Sequence, residues 1–146
     1  MKKIMIILTV GLFCLSAVFS QEKTGEIQVT ISGLRTAKGK VLCTLYNKAD
    51  GYPMEEKKAL KAAEADIRDG KAVFVFSDLP YGTYAVSVFH DENANYKLDT
   101  GLFGIPTEGL GASNDAKGSF GPPQFKDAKV ELSGPELILK ITMVYI

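Results

Sequence analysis

Apolar and polar residues alternate along most of this chain with the two-residue period of a strand. From Glu26 to Ile31, Ile27, Val29 and Ile31 fall on one face, and Glu26, Gln28 and Thr30 on the other. That is the pattern of a half-buried strand. After a connection from Ser32 to Gly39, Lys40 to Tyr46 predicts a second strand. Asp50-Gly51-Tyr52-Pro53 is turn chemistry, and the helix formers of Glu55 to Lys61 predict about two helical turns. Ala62 to Arg68 and Lys71 to Ser77 predict two more strands, and Asp69-Gly70 between them signals a hairpin. Leu79-Pro80-Tyr81-Gly82-Thr83 is a tight turn, and Tyr84 to His90 alternates with Tyr84, Val86, Val88 and His90 on one face. Near the C-terminus, Ala128, Val130 and Leu132 predict a strand. Ser133-Gly134-Pro135 turns it into a last one, where Leu137, Leu139, Ile141, Met143 and Tyr145 share a face. About seven short strands with almost no helix predict an all-β fold, an antiparallel β-sandwich of one domain.

The segment from Asp91 to Gln124 breaks this rhythm. It has 34 residues, six glycines and no sustained period. A loop of that length in a small domain is functional or disordered. Tyr96, Leu98, Leu102, Phe103, Ile105, Leu110, Phe120 and the following Phe125 supply too many apolar side chains for a solvated tail. The expectation is an ordered cap, anchored by those residues over one end of the sandwich.

The N-terminus carries an address. Lys2 and Lys3 precede the apolar stretch Ile4 to Phe19, and Ser16, Ala17 and Ser20 are small. This reads as a signal peptide over residues 1–20, cleaved to expose Gln21. The stretch has 16 residues, short of the roughly 20 that span a bilayer. Cys14 follows Phe13 rather than a small residue, so it does not read as a lipid-attachment site. The domain is then 21–146, secreted or periplasmic, with no transmembrane segment after cleavage. Its 15 basic and 17 acidic residues give a charge of −2, which argues against nucleic acid as a partner. Only Cys43 remains as a thiol, within the apolar run Val41 to Leu45, and it reads as a small core residue.

The candidate chemistry lies at the start of the loop. Asp91, Asn93, Asn95 and Asp99 place oxygen-bearing side chains at offsets 1, 3, 5 and 9, with the Lys97 carbonyl at 7. This is the opening of an EF-hand-like loop, so these four are candidate ligands for Ca²⁺. Tyr96 stands where that loop wants Gly, and Leu102 where it wants a bidentate Glu. The alternative is a set of Asx-turns bonding their own backbone. The four side chains are expected to converge on one point, with His90 and Glu108 nearby. His90, Glu92 and Glu108 are the candidate binding residues of the cap. The single His reads more readily as a structural residue than as a catalyst. Glu92 and Glu108 also offer an acid/base pair for sugar chemistry, though any chain with 17 carboxylates supplies such pairs.

Asp69-Gly70-Lys71, Leu79 to Val86, His90-Asp91-Glu92-Asn93, Asn95, Lys97-Leu98-Asp99, Gly104 to Gly109 and Pro122 to Phe125 together resemble a family of secreted bacterial proteins, domain of unknown function 2141. The resemblance covers nearly the whole chain after the leader. It implies a prealbumin-like or immunoglobulin-like sandwich and carries no activity. Members often have Gly at the positions of Ala94 and Tyr96. The turn from Leu79 to Tyr84 is also similar to one in carboxypeptidase regulatory-like and transthyretin-like domains, which implies fold only. The expected function is a non-catalytic secreted or periplasmic module that binds a glycan, a protein or a small ligand through residues 91–124. The alternatives are an extracytoplasmic hydrolase using acidic residues of the cap, and a purely structural envelope protein.

Overall fold

The computed structural model describes residues 22–146. The signal segment and its cleavage site lie outside the described residues. Eight strands form two packed sheets. In chain order they are β1 (Thr24–Ser32), β2 (Lys40–Tyr46), β3 (Lys61–Ala65), β4 (Ala72–Pro80), β5 (Gly82–Asp91), β6 (Gly109–Ala112), β7 (Val130–Leu132) and β8 (Glu136–Thr142), with a one-turn helix α1 (Phe125–Ala128) before β7. One sheet has the order β4-β1-β8 and the other β3-β2-β5-β6, with β7 also pairing β5. All pairings are antiparallel except β1 with β8.

The alternation read from the sequence is the alternation that packs. Ile27, Val29 and Ile31 of β1 meet Val41, Cys43 and Leu45 of β2, and Val86 and Val88 of β5, in one core between the sheets. Leu139, Ile141 and Met143 close it from β8 and the residue beyond. A second, smaller cluster of Ala85, Ala112 and Ala128 packs with Tyr52 and Phe125, whose rings meet edge-on at 5.7 Å.

Three local expectations are corrected. Glu55 to Lys61 gives one 3-10 turn, Glu56–Lys58, with no buried residue. The Leu60 N–H then bonds the Leu45 carbonyl at 2.8 Å, so sheet pairing takes over where an unburied helix has nothing to hold it. Asp69-Gly70 does make a hairpin turn: Arg68 and Lys71 exchange backbone bonds of 2.9 and 3.0 Å, and φ is positive at both central residues. Its arms nonetheless part, β3 joining β2 and β4 joining β1. The inward row Ala72, Phe74 and Phe76 commits β4 to the opposite layer. Ala128 closes α1 instead of opening β7.

The registers gather four connections at one end of the sandwich. Lys40 faces Asp91, Val41 faces Ala65, Ile31 faces Ala72 and Ser32 faces Thr142. The 33–39, 66–71 and 92–108 loops and the last residues therefore share that end. Cys43, in the middle of β2, is fully buried in the core, and burial pushes its thiol well above the usual range. Native protein is expected to react with a thiol reagent only on the timescale of unfolding, and quickly in denaturant. Rapid stoichiometric labelling of the folded protein would contradict this packing.

Candidate functional site

Strand β5 carries two buried polar residues to its end. His90 continues the inward row of Tyr84, Val86 and Val88, and both it and Asp91 are fully buried. The Nε2 of His90 lies 2.8 Å from the Lys38 carbonyl oxygen. A carbonyl only accepts, so Nε2 carries the proton. In the neutral imidazole Nδ1 then accepts from the Tyr145 hydroxyl at 2.8 Å, and that oxygen accepts the Arg35 backbone N–H at 3.2 Å. Every polar atom of the imidazole is satisfied. His90 bonds the 33–39 loop and the C-terminal tail, and its Nδ1 also lies 3.6 Å from Glu92 Oε1 at the start of the loop it introduces.

Arg35 ties this cluster to the long loop. Its guanidinium sits 4.4 Å above the Tyr145 ring, and grips Glu92 with both Nε (2.6 Å) and Nη2 (3.2 Å). Nη2 also donates to the Thr107 carbonyl at 3.0 Å. The two ends of the 92–107 excursion are thus held by one side chain. The hydrogen bond from Arg35 holds the Glu92 carboxyl below its ordinary range, against a smaller effect of burial. Gly109 makes room for the arrangement, since a Cβ there would stand 2.5 Å from the Tyr145 ring.

The remaining acidic and amide groups bond the loop to itself. Asp91 accepts the Asn95 N–H at 3.1 Å and the Tyr96 N–H at 2.8 Å. Asn93 and Asn95 accept the N–H two residues on, Asn95 at 3.1 Å and Lys97 at 2.8 Å. Their amide nitrogens both donate to Asp99, at 2.5 and 3.0 Å. Glu108, almost fully buried, accepts the Glu92 N–H at 2.9 Å and the Asp99 N–H at 3.0 Å. Of the predicted ligands, Asn93, Asn95 and Asp99 meet directly, and Asp91 joins them through the Asn95 N–H. Glu108 lies one bond further on. This is the Asx-turn arrangement, and Glu92 and Glu108 are each engaged by their own partners. Among the described residues no three His, Cys, Asp or Glu side chains are placed to hold a metal ion.

The expected apolar anchoring is corrected for five of its eight residues, while Leu98, Leu110 and Phe125 are half-buried, Phe125 against the smaller cluster. Leu102 is 83% exposed, Phe103 97% and Phe120 107%, and Tyr96 and Ile105 are exposed too. The polar groups just described hold the loop in their place. Further along, the Ser113 hydroxyl accepts the Val86 N–H at 2.9 Å, and Asp115 accepts the Thr142 N–H at 2.8 Å. Sequence reasoning missed Arg35, Tyr145 and Ser113, because their partners are 110, 55 and 27 residues away. No local spacing marks such contacts.

Two outcomes follow. Glu108→Ala leaves two N–H groups of a tight turn without their charged acceptor. At about 1.5–3 kcal/mol for each such bond, the melting temperature should fall by on the order of 10 °C, measurable by calorimetry. Asp91→Ala is expected to behave alike, and a variant as stable as the parent would refute the clamp. The second outcome concerns pH. A carboxyl lowered in the folded state stabilises fully above its unfolded pKa and is lost as pH falls through the folded value. The Arg35–Glu92 link should therefore weaken below about pH 4.5. Arg35→Gln should remove that acid-side component from the stability profile and leave the neutral limb parallel to the parent's.

No curated protein and no solved structure matches the chain. A family model does, over residues 29–139. That stretch runs from within β1 to within β8, so it takes in the sandwich together with Arg35, the 91–108 loop and Glu108. The chain belongs to the family of uncharacterised proteins conserved in bacteria, domain of unknown function 2141.

Proposed function

We propose that the protein is a non-catalytic extracytoplasmic module that engages a ligand or partner through the 91–124 loop. One observation carries this reading. The loop buries the carboxylates of Asp91 and Glu108 and turns Leu102, Phe103 and Phe120 outward. Phe103 is almost wholly exposed on a backbone of φ 61°, a conformation that costs a non-glycine residue about 1–2 kcal/mol. Strain at an exposed aromatic, with no packing to repay it, is the mark of a displayed residue. Glu92, gripped by Arg35, and Glu108, covered by two N–H groups, have no free role as acid or base in this arrangement, which favours binding over hydrolysis. The leader-like residues 1–20 support export.

A second reading, a loop further stabilised by Ca²⁺, is favoured by the assembly of Asn93, Asn95 and Asp99 with Asp91 at hand. All of them offer hard oxygens.

N-terminal sequencing of protein from the native host should give Gln21; a retained Met1 would remove the extracytoplasmic part of the reading. Replacing Leu102, Phe103 and Ile105 together by Ser should leave stability nearly unchanged, since exposed substitutions stay within about 0.5 kcal/mol each. Wild-type protein in the native host is expected to sediment in part with the envelope fraction, and the triple Ser variant to move to the soluble extracytoplasmic fraction. An unchanged distribution would sink the binding role of the loop. Calcium at about 100 times its dissociation constant adds ~2.7 kcal/mol, or roughly 5–10 °C in melting temperature for a domain this size. No shift at millimolar calcium would end the metal reading.

A further inference from the structure

Strand β4 forms one edge of its sheet, and its outer side has no strand partner among the described residues. The bonds of β1 decide which of its groups are free. Glu26 N–H bonds the Pro135 carbonyl, and the Ser32 carbonyl accepts Met143 N–H. The even residues of β1 therefore turn their backbone to β8, and the odd ones to β4. Ile27, Val29 and Ile31 stand opposite Phe76, Phe74 and Ala72. Those three residues of β4 are paired, and Val73, Val75 and Ser77 turn their N–H and C=O groups outward. The Lys61 ammonium accordingly reaches the Ser77 carbonyl at 2.6 Å and closes that end of the edge. The Asp69-Gly70 turn closes the other end, where Arg68 and Lys71 bond each other. Two complete sets of backbone groups remain, those of Val73 and Val75, with the Ser77 N–H beside them.

The side chains along this edge are as bare as the backbone. Val73 is 54% exposed and Val75 50%, and Ala72 to Ser77 has no charge, proline or glycine. Natural sheets cover or guard such an edge, because a run of that composition pairs with any strand that reaches it. Guards stand here only at the ends: Lys61, and the register shift at Ser77-Asp78, where Asp78 has φ 57°.

The free segment is its own antiparallel complement. With a two-fold axis at Phe74, Val73 of each copy faces Val75 of the other, and all four of their backbone groups find partners. Ser77 N–H then meets the Lys71 carbonyl of the second copy. The Ser77 hydroxyl holds the Glu26 carboxylate at 3.4 Å on the same outer face. Lys71, which has no ion pair among the described residues, thus comes within reach of Glu26 of the second copy, and does so twice across the axis.

We propose that β4 pairs antiparallel with β4 of a second copy of this chain, Val73 against Val75, joining two three-stranded sheets into one. This surface is separate from the 91–124 loop and does not depend on the reading above. Because the paired strands run oppositely, the two 92–107 excursions lie at opposite ends of the dimer. Growth beyond two copies is opposed at the far edge of the sheet, where Asp115 takes the Thr142 N–H and Val144 pairs with Leu110. A contact of this length sits at the small end of specific interfaces, so the dimer is reversible.

Protein without residues 1–20 keeps the whole sandwich, and its mass is followed by sedimentation velocity from micromolar to millimolar concentration. The expected result is a monomer–dimer equilibrium, with amide exchange at Val73 and Val75 slowing as the dimer fills. Val73→Lys with Val75→Lys should weaken the dimer roughly tenfold or more and leave the melting temperature nearly unchanged, since both side chains are exposed. Lys71→Glu should weaken it as well, and adding Glu26→Lys should restore it. A monomer at every concentration overturns the proposal and leaves the edge to a strand of another protein. A dimer that does not slow exchange at Val73 and Val75, or that tolerates the two Lys substitutions, forms elsewhere and overturns it too. So does a Lys71→Glu variant that dimerises like the parent or that Glu26→Lys fails to rescue.

Discussion

Two buried carboxylates organise the end of the sandwich that bears the 92–107 excursion. Asp91 and Glu108 are taken out of water, where an unpaired charge is costly, and each is compensated by two backbone N–H groups of the same short turn. Such bonds to ionised groups are stronger than neutral ones. They also satisfy donors that an irregular loop otherwise leaves without partners. The arrangement is mutual: the carboxylates can be buried because the turn supplies donors, and the turn keeps its shape because the carboxylates accept them. Asp91 lies at the end of a core strand and Glu108 one residue before β6. The clamp therefore fastens the 92–107 excursion to both its neighbours in the sheet.

The hydrogen-bonded cluster behind the clamp ties it to the sandwich. His90 donates from Nε2 to the Lys38 carbonyl, Tyr145 bridges it to Arg35, and Arg35 reaches Glu92 and Thr107. These contacts join the β1–β2 connection, the end of β5 and the tail beyond β8, segments far apart in sequence. Glycine is needed where they crowd. At Gly39, with φ 68°, a Cβ would stand 1.9 Å from the Asp91 carbonyl oxygen, so any other residue would drive the connection off the strand that holds the site.

The sandwich was legible because its period is simple. Ile27, Val29 and Ile31, or Val86 and Val88, cannot alternate as they do without two apolar faces to meet. What alternation leaves open is which sheet a strand joins, and the arms of the Asp69-Gly70 turn part for that reason. The four-residue β6, Gly109–Ala112, is half glycine and shows no pattern at all. At the site, the spacing of Asp91, Asn93, Asn95 and Asp99 announced an inward-curled loop, since side chains two apart in such a turn reach the same N–H groups. The same spacing serves a cation and a self-bonded turn equally well. The positive φ of Ala94 and Tyr96, 56° and 61°, explains why glycine suits both positions.

The reading of Leu102, Phe103, Ile105 and Phe120 as anchors failed for a physical reason that bears on function. Apolar residues order a loop only when it has a core to lie on, and hydrophobicity alone cannot say which side of a loop they occupy. Here the order comes from charge–dipole bonds in the loop's base, so the apolar side chains are not required for its shape. A loop held by packing would spend its apolar surface on itself. One held by Asp91, Glu108 and Arg35 keeps that surface free, rigid and outward, and rigidity before contact lowers the entropy lost when contact is made.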